Sequence, residues 1–226
     1  MPTVQKTFLL PCPERNLDAF RAFVTRAARL KPHGRVVVDI SPVAARALHE
    51  LPPGGSAWHE YAYYHASLCK FFPHPKLARH LPAPWVAANR KLLLDKAAVL
   101  REHGLEALFM AHEPNHLPES FFQEHPHLRG PRIDHPRRSR REEFALCVDL
   151  PEALEMYAWM MAELKRHAPG LSVFTFRTND AGGGFCWAAA QYAGPNGPHH
   201  CQGRPVAERV RGFVEALHGG AEQGGG

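Results

Sequence analysis

A chain of 226 residues with 45% hydrophobic content can bury a substantial core, which excludes a disordered chain and points to one globular domain. Its net charge of +5 comes largely from one arginine cluster rather than from a basic face spread along the chain, which argues against a nucleic-acid binder. No apolar run approaches the roughly 20 residues that span a bilayer, the N-terminus lacks a secretory signal, and five scattered cysteines without a C-x-x-C pair argue against a disulfide framework or a zinc ribbon. The expectation is a cytoplasmic protein with reduced thiols and no membrane segment.

Residues 6–10 read as a first strand, closed by Pro11-Cys12-Pro13. Asn16 or Asp18 can then cap a helix whose apolar positions Leu17, Phe20, Phe23, Ala27 and Leu30 keep helical spacing. After Pro32-His33-Gly34, residues 35–40 (Arg-Val-Val-Val-Asp-Ile) are a continuous apolar strand of the kind found in parallel sheets covered on both faces. A long connection over 41–84 holds an alanine-rich helical piece at 43–51, Pro52-Pro53-Gly54-Gly55 and an aromatic segment at 58–64. A helix over 85–103 stops at Gly104, and residues 106–110 are the third strand. Residues 111–150 form a second long connection, rich in His, Pro and Arg. Pro151 starts a helix with Leu154, Tyr157, Ala158, Met161 and Leu164 on one face, and Pro169-Gly170 ends it. The fourth strand, 173–176, is followed by a loop over 178–204 and by a last helix that Pro205 opens and that reaches about Leu217. The domain is thus expected over 1–218, with 219–226 as a mobile glycine-rich tail.

Strand and helix alternate about four times, which predicts right-handed βαβ units and a parallel sheet. Helix-to-strand turns are short, whereas three strand-to-helix loops are long, and α/β folds build their sites at the carboxyl ends of the strands. Four units are too few for a closed barrel of about 250 residues, so the chain reads as half a barrel, a fragment, or an open sheet.

The candidate chemistry gathers after the third and fourth strands. His112-Glu113-Pro114-Asn115-His116 matches the H-E-x-x-H zinc pattern, but that chemistry needs a helical turn, and Pro114 falls inside it, so no metal is expected here. His199-His200-Cys201 with Cys186 lacks a spaced fourth ligand, and no cofactor is expected. The fourth strand runs into Asn179-Asp180 and then Gly182-Gly183-Gly184, Phe185 and Trp187. If strands three and four are neighbours, Glu113 and Asp180 face one cleft. Two carboxylates so placed suit glycoside hydrolysis, one as general acid and the other as nucleophile, base or charge stabiliser. In that cleft Asn179, His112 and His116 would bind sugar hydroxyls, Trp187 or Tyr192 would stack on a ring, and Arg137 and Arg138 would hold an acidic sugar. The whole cluster, Arg129, Arg132, Arg137, Arg138, Arg140 and Arg141, is interleaved with prolines and acids that favour a locally paired surface loop.

Asn179-Asp180-Ala181-Gly182-Gly183-Gly184-Phe185-Cys186 resembles the Asn-Asp-x-Gly-Gly-x-x-Cys signature of a large group of glycoside-hydrolase-like (β/α) barrels. That group is related in architecture to the family 20 hexosaminidases and the α-glucuronidases. The segments Glu113, Pro118-Glu119, Arg129-Gly130-Pro131, Asp134-His135-Pro136-Arg137-Arg138 and Gly194-Pro195-Asn196-Gly197-Pro198 are similar to sequences in the same group, so the resemblance covers roughly 105–217. It implies a TIM-type (β/α) barrel or partial barrel with its site at the carboxyl face, a carbohydrate ligand, and Asp180 in the acid role. Family 20 enzymes carry an adjacent Asp-Glu pair where this chain has Asn179-Asp180, and Asn179 offers only hydrogen bonds. The alternative reading is a non-catalytic half-barrel that binds carbohydrate or self-assembles, two copies pairing as a homodimer in the latter case.

Overall fold

Short runs of β-branched and aromatic residues set the frame in the computed structural model, which describes residues 6–44, 65–134, 139–177, 184–185 and 203–225. In chain order the strands are β1 (Thr7–Leu10), β2 (Arg35–Asp39), β3 (Glu106–His112), β4 (Arg129–Arg132), β5 (Phe144–Leu146) and β6 (Leu171–Arg177). The helices are α1 (Leu17–Ala27), α2 (Pro75–Ala78), α3 (Ala83–Glu102), α4 (Glu119–Glu124), α5 (Pro151–His167) and α6 (Val206–Gly225). The fold is mixed α/β: β1, β2, β3 and β6 form one parallel sheet in that order, while β4 and β5 pair antiparallel on their own. Arg129-Gly130-Pro131-Arg132 shows none of the alternation that marks a strand, which is why this hairpin inside the second long connection escapes a reading by pattern.

The local signals act where the sequence places them. Asn16 caps α1 by accepting from Ala19 N at 3.0 Å, and Phe20, Val24 and Ala27 turn one buried stripe toward the sheet. Gly104, at a φ of +61°, ends the connection from α3 into β3. Pro151 opens α5 at a position where its missing N–H has no helical partner to lose. Val36, Val38 and Ile40 of the second strand region, Phe109 of β3, Phe20 of α1, Leu93 of α3 and Leu164 of α5 share one core, and each such fully buried side chain contributes roughly 1.5–3 kcal/mol. On the other sheet face Leu9 and Met110 stay 47% and 38% exposed.

The C-terminal glycines do not form the expected tail, because α6 continues through them to Gly225 and lies along α5. A Cβ on Gly220 would stand 2.2 Å from the carbonyl oxygen of Ala158, and one on Gly224 would stand 2.3 Å from that of Ala162. The glycines therefore make a side-chain-free stripe into which the α5 backbone fits, a use that composition alone reads as flexibility. Arg209 locks the start of the same helix, its guanidinium meeting Asp149 at 2.7 and 2.9 Å with both side chains almost fully buried.

Register sets where a site can form. Ala111 pairs with Phe176 and His112 with Arg177, so β3 and β6 are neighbours and end level with each other. The connections leaving β2, β3 and β6 are long, and all three leave from this edge.

Candidate functional site

Along β3 the exposed and buried positions alternate toward its end: Met110 and His112 reach the open side of the sheet, and Ala111 and Glu113 are buried. The open side at the carboxyl edge holds a cavity of about 750 Å³. Cys12 and Arg15 after β1, Asp39 at the end of β2, His65, His112 of β3 and Arg177 of β6 are among its walls.

Among the described residues Asp39 is the carboxylate of this wall. It is 6% exposed and accepts from Ser41 N at 2.9 Å. Burial raises its pKa above the usual carboxylate range, against the opposing hydrogen bonds from Ser41 and the charge of Lys96. Lys96 reaches this region from α3; its ammonium is buried, lies 5.2 Å from the Phe20 ring centroid and has no hydrogen-bond partner among the described residues. Burial lowers it to about 8, while Cys12 and Asp39 pull the other way. Asp39 and Cys12 had a legible signal, a polar or nucleophilic residue ending a short apolar strand. His65 had none.

His65 and His112 stack face to face, with ring centroids 3.6 Å apart and planes 2° from parallel. Desolvation first, then the charges of His65, Arg177 and Lys70, lower His112 to about 3, so its ring is neutral at physiological pH.

Glu113 lies behind this wall. It is 1% exposed, its Oε1 accepts from Leu68 N at 2.6 Å, and its Oε2 accepts from Asn115 N and from the Tyr157 hydroxyl of α5, both at 3.2 Å. Burial pushes its carboxyl up to about 7 despite these donors and the charge of Lys70, whose own buried ammonium is lowered to about 8. The peptide bond to Pro114 is cis, and no helix forms over 113–116. His116 is buried, with Nδ1 2.7 Å from Asn115 Oδ1, so the two histidines of the H-E-x-x-H pattern are not one helical turn apart. Among the described residues no group of three His, Cys, Asp or Glu could hold a metal ion.

Asp180, Asn179, Arg137, Arg138, Trp187 and Tyr192 lie outside the described residues, as do His199, His200 and Cys201. What is described of that loop is Gly184, at a φ of +90°, and Phe185, buried against Phe213 of α6. A Cβ on Gly184 would stand 3.0 Å from Pro114 Cδ, so Gly184 lies against the turn that follows β3. Of the arginine cluster, Arg129 pairs with Glu119 and stacks on Phe122 and Phe144, while Arg132 forks onto Asp134 at 2.7 Å and reaches Glu142 at 2.9 Å. These two are the locally paired loop that the sequence suggests.

No family sequence model and no curated protein matches this sequence. Solved structures do match it. A family 20 catalytic module of a pneumococcal exo-β-D-N-acetylglucosaminidase aligns over 98% of this chain and 52% of its own, at 9% identity and a TM-score of 0.51. A Flavobacterium johnsoniae chitobiase aligns over 99% of this chain and 30% of its own, at 12% identity and a TM-score of 0.48. A Lactobacillus brevis α-galactosidase aligns over 97% of this chain and 25% of its own, at 13% identity and a TM-score of 0.46. The chain thus spans between a quarter and about half of the length of these glycoside hydrolases, and what the pneumococcal module shares with it is a distant fold relationship. No described helix is long and apolar enough to cross a membrane.

Proposed function

We propose that this chain is a glycoside-hydrolase-like protein acting on a carbohydrate, with its site at the carboxyl edge of a partial TIM-type barrel. The observation that carries this reading is the cavity at the ends of the four parallel strands, with Asp39, His112 and Arg177 in its walls. The fold shared with the pneumococcal N-acetylglucosaminidase module supports it.

In this reading Asp180, four residues before the Gly184 that packs against Pro114, is the general acid or charge stabiliser. Its partner from the sequence reading, Glu113, has its carboxyl held by Leu68, Asn115 and Tyr157 and is absent from the cavity wall, and among the described residues Asp39 is the carboxyl of that wall. We therefore assign Asp39 to the second carboxylate role, at the developing positive charge on the sugar, and Glu113 to holding the wall. Asn179 and His112 bind hydroxyls, Trp187 or Tyr192 stacks on the ring, and Arg137 and Arg138 face an acidic substituent; His116, 2% exposed and outside the cavity wall, does not take the hydroxyl-binding role.

The test is turnover of aryl glycosides, beginning with an N-acetyl-β-glucosaminide, by the wild type and by Asp180→Asn, Asp39→Asn and Glu113→Gln. Loss of turnover in the two aspartate variants, with a measurable rate left in Glu113→Gln, is expected; full turnover in Asp180→Asn sinks the assignment. The capture of Glu113 by Leu68, Asn115 and Tyr157 also favours a second reading, a module that binds sugar without cleaving it. It predicts saturable glycoside binding by a protein that turns over none of the substrates.

A further inference from the structure

In a sheet built of right-handed βα units, the helix that follows a strand packs over that strand and the next one. α6 follows β6, yet among the described residues β6 is the last strand of its sheet and its outer edge is unpaired. One flank of α6 lies along α5, and beside the other a groove of about 380 Å³ runs to the β6 edge, lined by Phe174, Phe176, Val214, Leu217 and Ala221. Val214 is 44% exposed there. We propose that this groove takes β1 of a second copy of the chain, and that two copies, each giving β1 to the other's β6, close a barrel of eight parallel strands. The proposal goes beyond the reading of the cavity and does not depend on its ligand.

The opposite end of the same sheet carries the matching shape. β1 is its other edge strand and, all four strands being parallel, runs in the same direction as β6. Phe8 and Leu10 pair with Val36 and Val38, so they face the helix layer as those buried valines do, yet both stay only half-buried, with no strand on their outer side among the described residues. α1 repeats the pattern: Arg21 reaches Glu102 of α3, whereas Ala19 and Phe23, about 160° round the helix from it, are half-buried. In the pair, Phe8 and Leu10 of one copy extend the row made by Phe174 and Phe176 of the other, and the free flank of α1 meets that of α6.

The backbone polarity fits as well. Arg35 N donates to the carbonyl of Lys6 at 2.9 Å, and the two-residue period of a strand then turns Phe8 and Leu10 toward β2 and leaves the N–H and C=O groups of Thr7 and Leu9 pointing outward. Such an open row is a template for another strand. Pairing β1 with β6 is a head-to-tail contact, which either closes a ring or grows into an open array. Two four-stranded units supply the eight strands of a closed parallel barrel, in which no edge remains. Closure also sets the end of β6 in one copy beside the end of β1 in the other, so the two cavities, whose walls include residues after both strands, share one mouth.

The experiment is sedimentation velocity of the wild type over a concentration series, repeated on Leu9→Pro, on Val214→Glu and on an equimolar mixture of the two variants. Leu9→Pro removes an outward N–H that β2 does not use, and Val214→Glu places a charge in the groove at an exposed position, so circular dichroism should show both monomers folded. Should Leu9→Pro fail to fold, Thr7→Pro, which removes the other outward N–H, takes its place. The wild type should be a dimer, and each variant should dimerise about tenfold more weakly or worse. The mixture should recover part of the affinity, because a mixed pair keeps one intact junction, between α6 of the Leu9→Pro copy and β1 of the Val214→Glu copy. A monomer at every concentration overturns the proposal, whether the groove is then empty or filled by another segment of the same chain. So do an open-ended series of larger species, a mixture with no recovery, and a dimer that Val214→Glu dissociates while Leu9→Pro leaves it intact, the mark of a symmetric contact between two α6 faces. The carbohydrate reading is decided separately, by glycoside turnover.

Discussion

The carbonyl oxygen of Ala158 in α5 occupies the place where a side chain on Gly220 of α6 would begin, 2.2 Å from an added Cβ. Gly220→Ala should therefore force the two helices apart and cost about 1–3 kcal/mol. Gly219→Ala, one residue away and with nothing within 4 Å of its Cβ, should be neutral or gain up to about 1 kcal/mol from helix propensity. Urea denaturation of the two variants makes the comparison, and equal midpoints would remove the case for a close helix contact.

Arg209 and Asp149 form a buried ion pair in which both side chains are at most 2% exposed. Replacing Arg209 with Met removes the cation and leaves the carboxylate in the interior, a change expected to cost about 3–5 kcal/mol. Replacing both residues with apolar ones of similar size should recover much of that loss. A single Arg209→Met variant as stable as the wild type would show that the pair contributes nothing to docking α6.

Stability should fall with rising pH through the acid-to-neutral range because of Glu113. Below its unfolded value near 4.5 the group is protonated in both states; between there and about 7 the unfolded chain gives up the proton while the fold retains it, so the folded state loses ground as pH rises. Lys70 works the other way: its lowered value means that stability gained above its unfolded pKa of 10.5 is lost as pH falls through about 8. Glu113→Gln should flatten the change between pH 4.5 and 7, measured as urea midpoints across that range, and a variant that still follows the wild-type profile would show that another group is responsible.

Tyr157 supplies one of the donors that Glu113 accepts, at 3.2 Å and inside the core. Tyr157→Phe keeps the ring against Phe213 and removes only the hydroxyl, so the loss should be about 1–3 kcal/mol at pH 8, where the carboxyl is ionised, and smaller at pH 5, where it is protonated. Comparing the two pH values by thermal or urea melts separates the hydrogen bond from ring packing. An equal loss at both would assign the effect to packing.

Much of the frame was legible because single residues carried local physics: the Asn16 cap, the apolar run of β2, the stop at Gly104 and the helix start at Pro151 all act within a turn of where they stand. The helix at the C-terminus was not legible, since whether Gly220 and Gly224 mean flexibility or close packing depends on a helix more than fifty residues earlier in the sequence. The site divides in the same way. His112 was found as a polar residue at a strand's carboxyl end, yet the same two-residue period that turns His112 to the cavity turns Glu113 behind it, and that parity could have been read from the sequence. His65 reaches the site through a long connection and is held by Lys70 Nζ on its carbonyl at 2.7 Å, neither of which leaves a local mark.

The stripe of glycines on α6 and the cavity wall lie on different parts of the sheet's surroundings, and the tight turn at Gly104 is at the opposite strand ends from His112 and Asp39. The residues that pack α6 against α5 and those that line the cavity are therefore separate sets. Substitution of side chains in the cavity wall can alter recognition while the strand register stays as it is, whereas wholesale exchange of the connections after β2 and β3 would also remove Phe71, Phe72, Phe121 and Phe122 from the core.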